Sequence, residues 1–184
     1  MGSYLVLAMG VGLQSVSGHL VLQEPANEYH YSRESGRVVK LAISVGSEVA
    51  KKKVMLQYVT EDSEETKALV SNENGYVDYV NPNAEPGKVF TPGELLLRIQ
   101  SRRVFGAHYF EQQAYEHIKI VQAIQTNTSL WLCSGTRPIE VRVDDVAKDS
   151  LLVSMLLKKE EYSQLEGTIS RGNIALHQSM QACL

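Results

Sequence analysis

An internal repeat between residues 36 and 99 constrains this chain more than any other feature. Its first half runs Gly36-x-Val38-x-x-Leu41, then Gly46-x-x-Val49, then Met55-Leu56. Its second half runs Gly75-x-Val77-x-x-Val80, then Gly87-x-x-Phe90-x-x-Gly93-x-x-Leu96-Leu97. Gly46 precedes Met55 by nine residues, and Gly87 precedes Leu96 by nine. Short alternating apolar runs punctuated by glycine read as twisted strands joined by tight turns. Gly46 and Gly87 suit turn positions with positive φ, where a Cβ is disfavoured. Neither half is large enough to bury its apolar face alone, so the two are expected to interlock around one core.

The segments GRVVKLAISVGSEVAKKKVMLQY and GYVDYVNPNAEPGKVFTPGELLLRI carry this repeat. They resemble the two halves of the biotinyl/lipoyl-attachment family, whose domain is a barrel-sandwich hybrid of two interlocked four-strand halves. One departure is Lys52, where the family usually has Gly. A second concerns the hairpin that joins the halves. In carrier members a lysine at its tip takes biotin or lipoate. Here the hairpin region is YVTEDSEETKALVSNENG, and its tip reads Glu61-Asp62-Ser63-Glu64-Glu65. Lys67, past the tip, is its only lysine. The resemblance therefore implies an unmodified copy without cofactor, of the kind found in membrane-fusion (periplasmic adaptor) proteins, where the domain packs and assembles. Many of those carry a helical hairpin between the halves, for which the 18 residues from Gln57 to Asn74 leave no room. Glu61, Asp62, Glu64 and Glu65 become the candidate contacts for a protein partner. The alternatives are a merely solvated tip and a carrier modified at Lys67.

The flanking sequence reads as β-rich. Residues 1–35 form an N-terminal β segment, with SYLVLAMGV and GHLVLQE as strands around a turn at Ser15 to Gly18. Residues 107–125 read as an amphipathic helix, with Phe110, Ala114, His117, Ile118, Val121 and Ile124 on its apolar face. Strands are expected at Leu130–Cys133, Ile139–Val143 and Leu151–Leu157, with closing strands at Thr168–Ile169 and Ile174–Leu176. Between them Lys158 to Gln164 is a turn or one helical turn. The expected fold is α+β, mostly β. It comprises the segment 1–35, a barrel-sandwich hybrid over 36–100 and a helix-then-antiparallel-β domain over 107–184. The tail, with SLWLCSG, RPIEVRVDDVAKDSLLVSML and ALHQSM, also resembles an Sm-like unit, which implies RNA binding. The usual Gly of that unit's second strand is absent.

Charge opposes the RNA reading. The chain carries 18 Lys plus Arg against 21 Asp plus Glu, a formal charge of -3. Residues 107–184 carry seven bases and nine acids, which leaves only a local patch from Arg137, Arg142 and Arg171. Trp131 and Tyr162 are candidate base-stacking rings, although Trp131 between two leucines reads first as packed. No H-E-x-x-H, G-x-S-x-G or phosphate loop occurs, and Gly10-x-Gly12 lacks the third glycine of a dinucleotide loop because Ser15 stands there.

No catalytic residue, metal ligand or cofactor is therefore expected. His117 reads as a core histidine, and Asp144, Asp145 and Asp149 as a polar turn without calcium-loop spacing. Cys133 and Cys183 form no C-x-x-C pair. They read as two unpaired thiols, since nothing in the sequence requires a disulfide. The apolar stretch from Tyr4 to Leu13 has no basic residue before it and is too short to span a bilayer. This favours the cytoplasm, or a periplasmic or membrane-associated setting if an N-terminal anchor has been removed. The sequence thus points to a non-catalytic adaptor or assembly subunit whose partner is another protein or a second copy of itself.

Overall fold

The computed structural model describes residues 15–60, 63–111, 124–134, 137–169 and 172–184. They gather into two compact units. One contains Gln23–Phe105 and Leu156–Ser163; the other contains the stretch ending at Leu22, together with Gly106–Met155 and Gln164–Leu184. Strand β1 (Ser15–Leu22) belongs to the latter.

The first unit is the barrel-sandwich hybrid. Its strands are β2 (Asn27–Tyr31), β3 (Gly36–Leu41), β4 (Glu48–Val49), β5 (Val54–Thr60), β6 (Ser63–Val70), β7 (Gly75–Val80), β8 (Val89–Phe90) and β9 (Leu95–Ser101). They form two four-stranded sheets, β2-β9-β7-β4 and β6-β5-β3-β8. The halves β2–β5 and β6–β9 interlock, because each lends its two-residue strand to the sheet of the other: β4 pairs with β7, and β8 with β3. The turn bonds repeat as well. Gly46 N–H donates to Val77 O (2.7 Å) and Gly87 N–H to Val38 O (2.8 Å). Both glycines have positive φ, 87° and 85°. The apolar repeat positions Val38, Val49, Met55, Leu56, Val77, Phe90, Leu96 and Leu97 form one buried core with Ile99. Each fully buried side chain of this size is worth roughly 1.5–3 kcal/mol over its exposed state.

Residues 27–31 fall within the segment 1–35 that the sequence sets apart, yet β2 lies along β9 from Asn27↔Gln100 to Tyr31↔Leu95. The unit therefore begins near residue 23 rather than 36. The reason is pairing: β2 covers the free edge of β9 as β6 covers that of β5. Its polar sequence NEYHY masks this, because the residues on its inner face are Glu28 and His30 rather than apolar ones.

The second unit is a closed six-stranded barrel, β1-β10-β13-β12-β11-β14. The added strands are β10 (Arg103–Phe110), β11 (Ser129–Ser134), β12 (Arg137–Val146), β13 (Ser150–Leu156) and β14 (Ile174–His177). Inward positions alternate along β1, where Val16, Gly18 and Leu20 face inward and Ser17 and His19 outward. Leu130, Leu132, Val141, Val143, Leu151, Val153 and Leu176 complete the buried interior.

Several sequence expectations change here. Ser15 to Gly18 is strand, not turn. Gly18 is needed for close approach: a Cβ there would stand 2.0 Å from Tyr109 O and 2.8 Å from His108 Cε1. Ala107 to Phe110 belongs to β10, not to a helix, because Leu22↔Gly106 through Gly18↔Phe110 pair it with β1. The rest of that expected helix, with His117, lies largely outside the described residues, as do residues 1–14. The expected strand Thr168–Ile169 is the end of helix α1 (Lys159–Ile169), which replaces the turn expected at 158–164. The backbone N–H of Lys158 donates to Glu161 Oε2 (2.8 Å), and Glu160 and Glu161 face the positive end of the helix dipole. Only Leu165 and Ile169 of α1 are buried, one turn apart, which is why its apolar periodicity is faint. No helix among the described residues is long and apolar enough to cross a membrane.

Cys133 and Cys183 form a disulfide with Cα atoms 5.0 Å apart, which corrects the expectation of unpaired thiols. The short 3₁₀ turn Met180–Cys183 follows β14, and β14 pairs with β11, so the chain end returns beside Cys133. That proximity is set by the strand order, not by the 50-residue separation.

Candidate partner-contact site

Strands β5 and β6 flank the acidic residues that the sequence singles out. Register runs from Val54↔Val70 to Thr60↔Ser63; Glu61 and Asp62 lie outside the described residues. Glu65 is exposed on β6, and its N–H donates to Ser63 Oγ (3.0 Å). Glu64 falls on the same strand.

Lys67 sits further down β6, opposite Tyr58. Its ammonium donates to both carboxylate oxygens of Glu34, at 2.7 and 2.8 Å, and Tyr58 Oη–H donates to Glu34 Oε1 at 3.0 Å. The Tyr58 ring meets the core edge-on at Phe90, with centroids 5.3 Å apart. The hydrogen bond from Lys67 pulls the Glu34 carboxyl below its ordinary value, and the same bond raises Lys67 above its own. Burial, then Glu34, pushes the Tyr58 phenol up. Lys67 is thus an ion-paired ammonium in the body of a sheet.

A feature that sequence reasoning missed is the outer face of the other sheet. Tyr29 and Tyr31 stack there, with centroids 6.3 Å apart, and both are about half exposed. Arg98, across from Tyr29, donates through Nε to both oxygens of Asp78, at 3.0 and 2.8 Å. The alternation in NEYHY was the available signal. Nearby in sequence order, Arg102 pairs with Glu48 and lies over the Tyr76 ring, 5.8 Å from its centroid. Tyr162 lines a shallow groove of about 220 Å³ with Tyr76, Gln100, Val104, Leu157 and Lys159.

The remaining sequence candidates do not converge. Among the described residues no group of three or more His, Cys, Asp or Glu could hold a metal ion. Asp145 accepts from the Val146 N–H, Asp149 from the Ser150 hydroxyl, and Asp144 lies 3.8 Å from Arg142. Arg142 also donates to Asn127. Trp131 belongs to the barrel and is half-buried on β11, whereas Tyr162 belongs to the other unit. Arg171 lies outside the described residues. The tail does not form a self-contained helix-then-barrel: its ring needs β1 and a β10 that starts at Arg103.

These features define a mostly-β chain that joins a barrel-sandwich hybrid to a closed antiparallel barrel. No family model matches the chain, and no curated protein matches it. Among solved structures it is similar to a putative efflux transporter from Bacteroides eggerthii. That likeness covers 89% of this chain and 68% of the other, at 10% identity and a TM-score of 0.55. It is also similar to ZneB from Cupriavidus metallidurans, at 13% identity and a TM-score of 0.39, covering 89% of this chain and 98% of that one. The membrane fusion protein Spr0693 from Streptococcus pneumoniae R6 is similar at 11% identity and a TM-score of 0.41, again covering 89% and 98%. The first of these likenesses is one of fold.

Proposed function

We propose that this chain is a non-catalytic adaptor or assembly subunit that works through protein–protein contacts, with its biotinyl/lipoyl-like unit left unmodified. The observation that supports this most is the state of Lys67. The only lysine of the hairpin is held by Glu34 in the sheet body, so the hairpin keeps the carrier architecture without a carrier amine. What it offers instead is carboxylates: Glu61, Asp62, Glu64 and Glu65 form a contact for a basic surface on another protein or on a second copy. The stacked Tyr29–Tyr31 face adds the residue type most enriched at protein interfaces. The exposed Cys133–Cys183 disulfide supports a working place in an oxidising compartment rather than the cytosol.

Reversing the four acids to lysine tests the reading. Light scattering should then give a lower mass, alone or with a co-purified partner. The unfolding midpoint should stay the same, since exposed charges contribute little to stability. An unchanged assembly mass would remove the hairpin from the contact.

A further inference from the structure

We propose that the Cys133–Cys183 disulfide is a redox latch on the barrel, and that its reduction by a dithiol opens the ring at β14. β14 is the shortest strand of the ring, four residues against six to ten in the others. It closes the barrel between β1, through Ser15↔His177 to Gly18↔Ile174, and β11, through only Trp131↔His177 and Leu132↔Leu176.

Its two ends are held differently. At the first, Ile174 O lies 3.1 Å from Nε2 of the buried His108. At the second, the chain runs from His177 into the 3₁₀ turn Met180–Cys183, none of whose residues is buried. That turn's hydrogen bonds are internal: Gln181 N–H donates to Ser179 Oγ, and Leu184 N–H to Gln181 O. The turn lies against β11 and β12, and the sulfur–sulfur bond is its one covalent anchor there. Segments near a terminus with few buried contacts are the first to open locally.

Cys133 is exposed and Cys183 partly so, which gives a reductant access to the Cys133 sulfur. A thiolate of the dithiol attacks Cys133 Sγ, and Cys183 leaves as a thiolate. The second thiol of the reductant then displaces Cys133 from the mixed disulfide. The reductant becomes a disulfide, two electrons pass to the protein, and each cysteine takes up a proton. The product has a free tail from residue 178 and a β14 with no covalent tie at its His177 end. Once β14 departs, the facing edges of β1 and β11 lose their partners, which leaves the barrel open on one side.

Hydrogen–deuterium exchange on the full chain tests this, air-oxidised and after dithiothreitol. After reduction, amides of Ile174–His177 and Ser15–Gly18 should exchange at least about tenfold faster. Those of β12 and β13 should stay within about twofold of the oxidised protein, and those of β5 and β9 should not change. Emission of Trp131, the single tryptophan, should move to the red because it lies across from His177. Cys183→Ser should reproduce the reduced pattern without reductant. Unchanged exchange at β14 overturns the proposal. So does equal loss of protection around all six strands, which would make the disulfide a brace on the whole barrel. Alkylation of free thiols in the air-oxidised protein also overturns it.

Discussion

Lys52 and Gly93 occupy the same left-handed turn position in the two halves of the barrel-sandwich, six residues after Gly46 and Gly87, with φ of 68° and 86°. The halves therefore share a backbone that only one of them has the ideal residue for. A lysine in this region carries a steric cost of roughly 1–2 kcal/mol that glycine avoids. Glycine returns about 0.5–1 kcal/mol of that through its freer unfolded chain. Lys52→Gly should thus stabilise the unit by about 0.5–1 kcal/mol, read as a higher urea midpoint at unchanged slope. The Lys52 N–H to Ser71 O bond (2.6 Å) is retained in the variant. A lower midpoint would show that the lysine side chain contributes more than its strain costs.

Gly18→Ala should be among the most damaging single changes in the chain. The new methyl meets Tyr109 O, a backbone atom that cannot turn aside, and the His108 ring behind it. β1 and β10 must separate, at a cost of about 3 kcal/mol or more. Thermal unfolding should show a large fall in the barrel's transition.

His108 gives the barrel a pH dependence. The side chain is fully buried, and burial depresses its basicity below the ordinary histidine value of 6.5, with His19 adding a smaller push the same way. The folded barrel thus holds neutral imidazole while the unfolded chain binds a proton near 6.5. Stability is full above that pH and falls as pH drops below it, toward the lower folded value. Urea midpoints measured from pH 7.5 to 5 should decline. His108→Gln should flatten that decline while lowering stability at pH 7.5, because the Ile174 carbonyl loses its fitted partner. An equally steep decline in the variant would place the titration elsewhere.

Glu34 works on the acid side. Its carboxyl is held below the ordinary 4.5 by the bond from Lys67, so its contribution is present above that pH and lost as pH falls through the lower folded value. Glu34→Gln should remove this acid-limb dependence. The carrier alternative has its own check at the partner of this bond, Lys67. Incubation with biotin or lipoate ligase should add no mass to the native chain. A mass gain at Lys67 in the native protein would restore the carrier reading.

The repeat spacing over 36–99 was sufficient to place β3 to β5 and β7 to β9, because glycine turn positions and alternating apolar residues are local properties. The positive φ at Gly46 and Gly87 was legible for the same reason. That residues 61–65 hold four acids and no lysine is read directly from the sequence. Other features were local signals pointing the wrong way. Gly18 reads as a turn residue by type, but its role is set by Tyr109, 91 positions later in the chain. Ala107 to Phe110 continues a helical spacing in sequence and is strand because β1 lies beside it.

The sequence by itself determined the barrel-sandwich half-repeats, the strand character of β11 to β14 and the absence of a lysine at the hairpin tip. Tertiary structure decided which strands close the ring. It brought β1 and β10 into the barrel, gave β2 to β9, and set Cys133 beside Cys183. It also joined Lys67, Glu34 and Tyr58, which lie on separate stretches of chain. The division follows from range. Turn conformation and strand alternation depend on neighbours a few residues away, whereas pairing, closure and cross-linking depend on loop geometry across the whole chain, where spacing carries no signal.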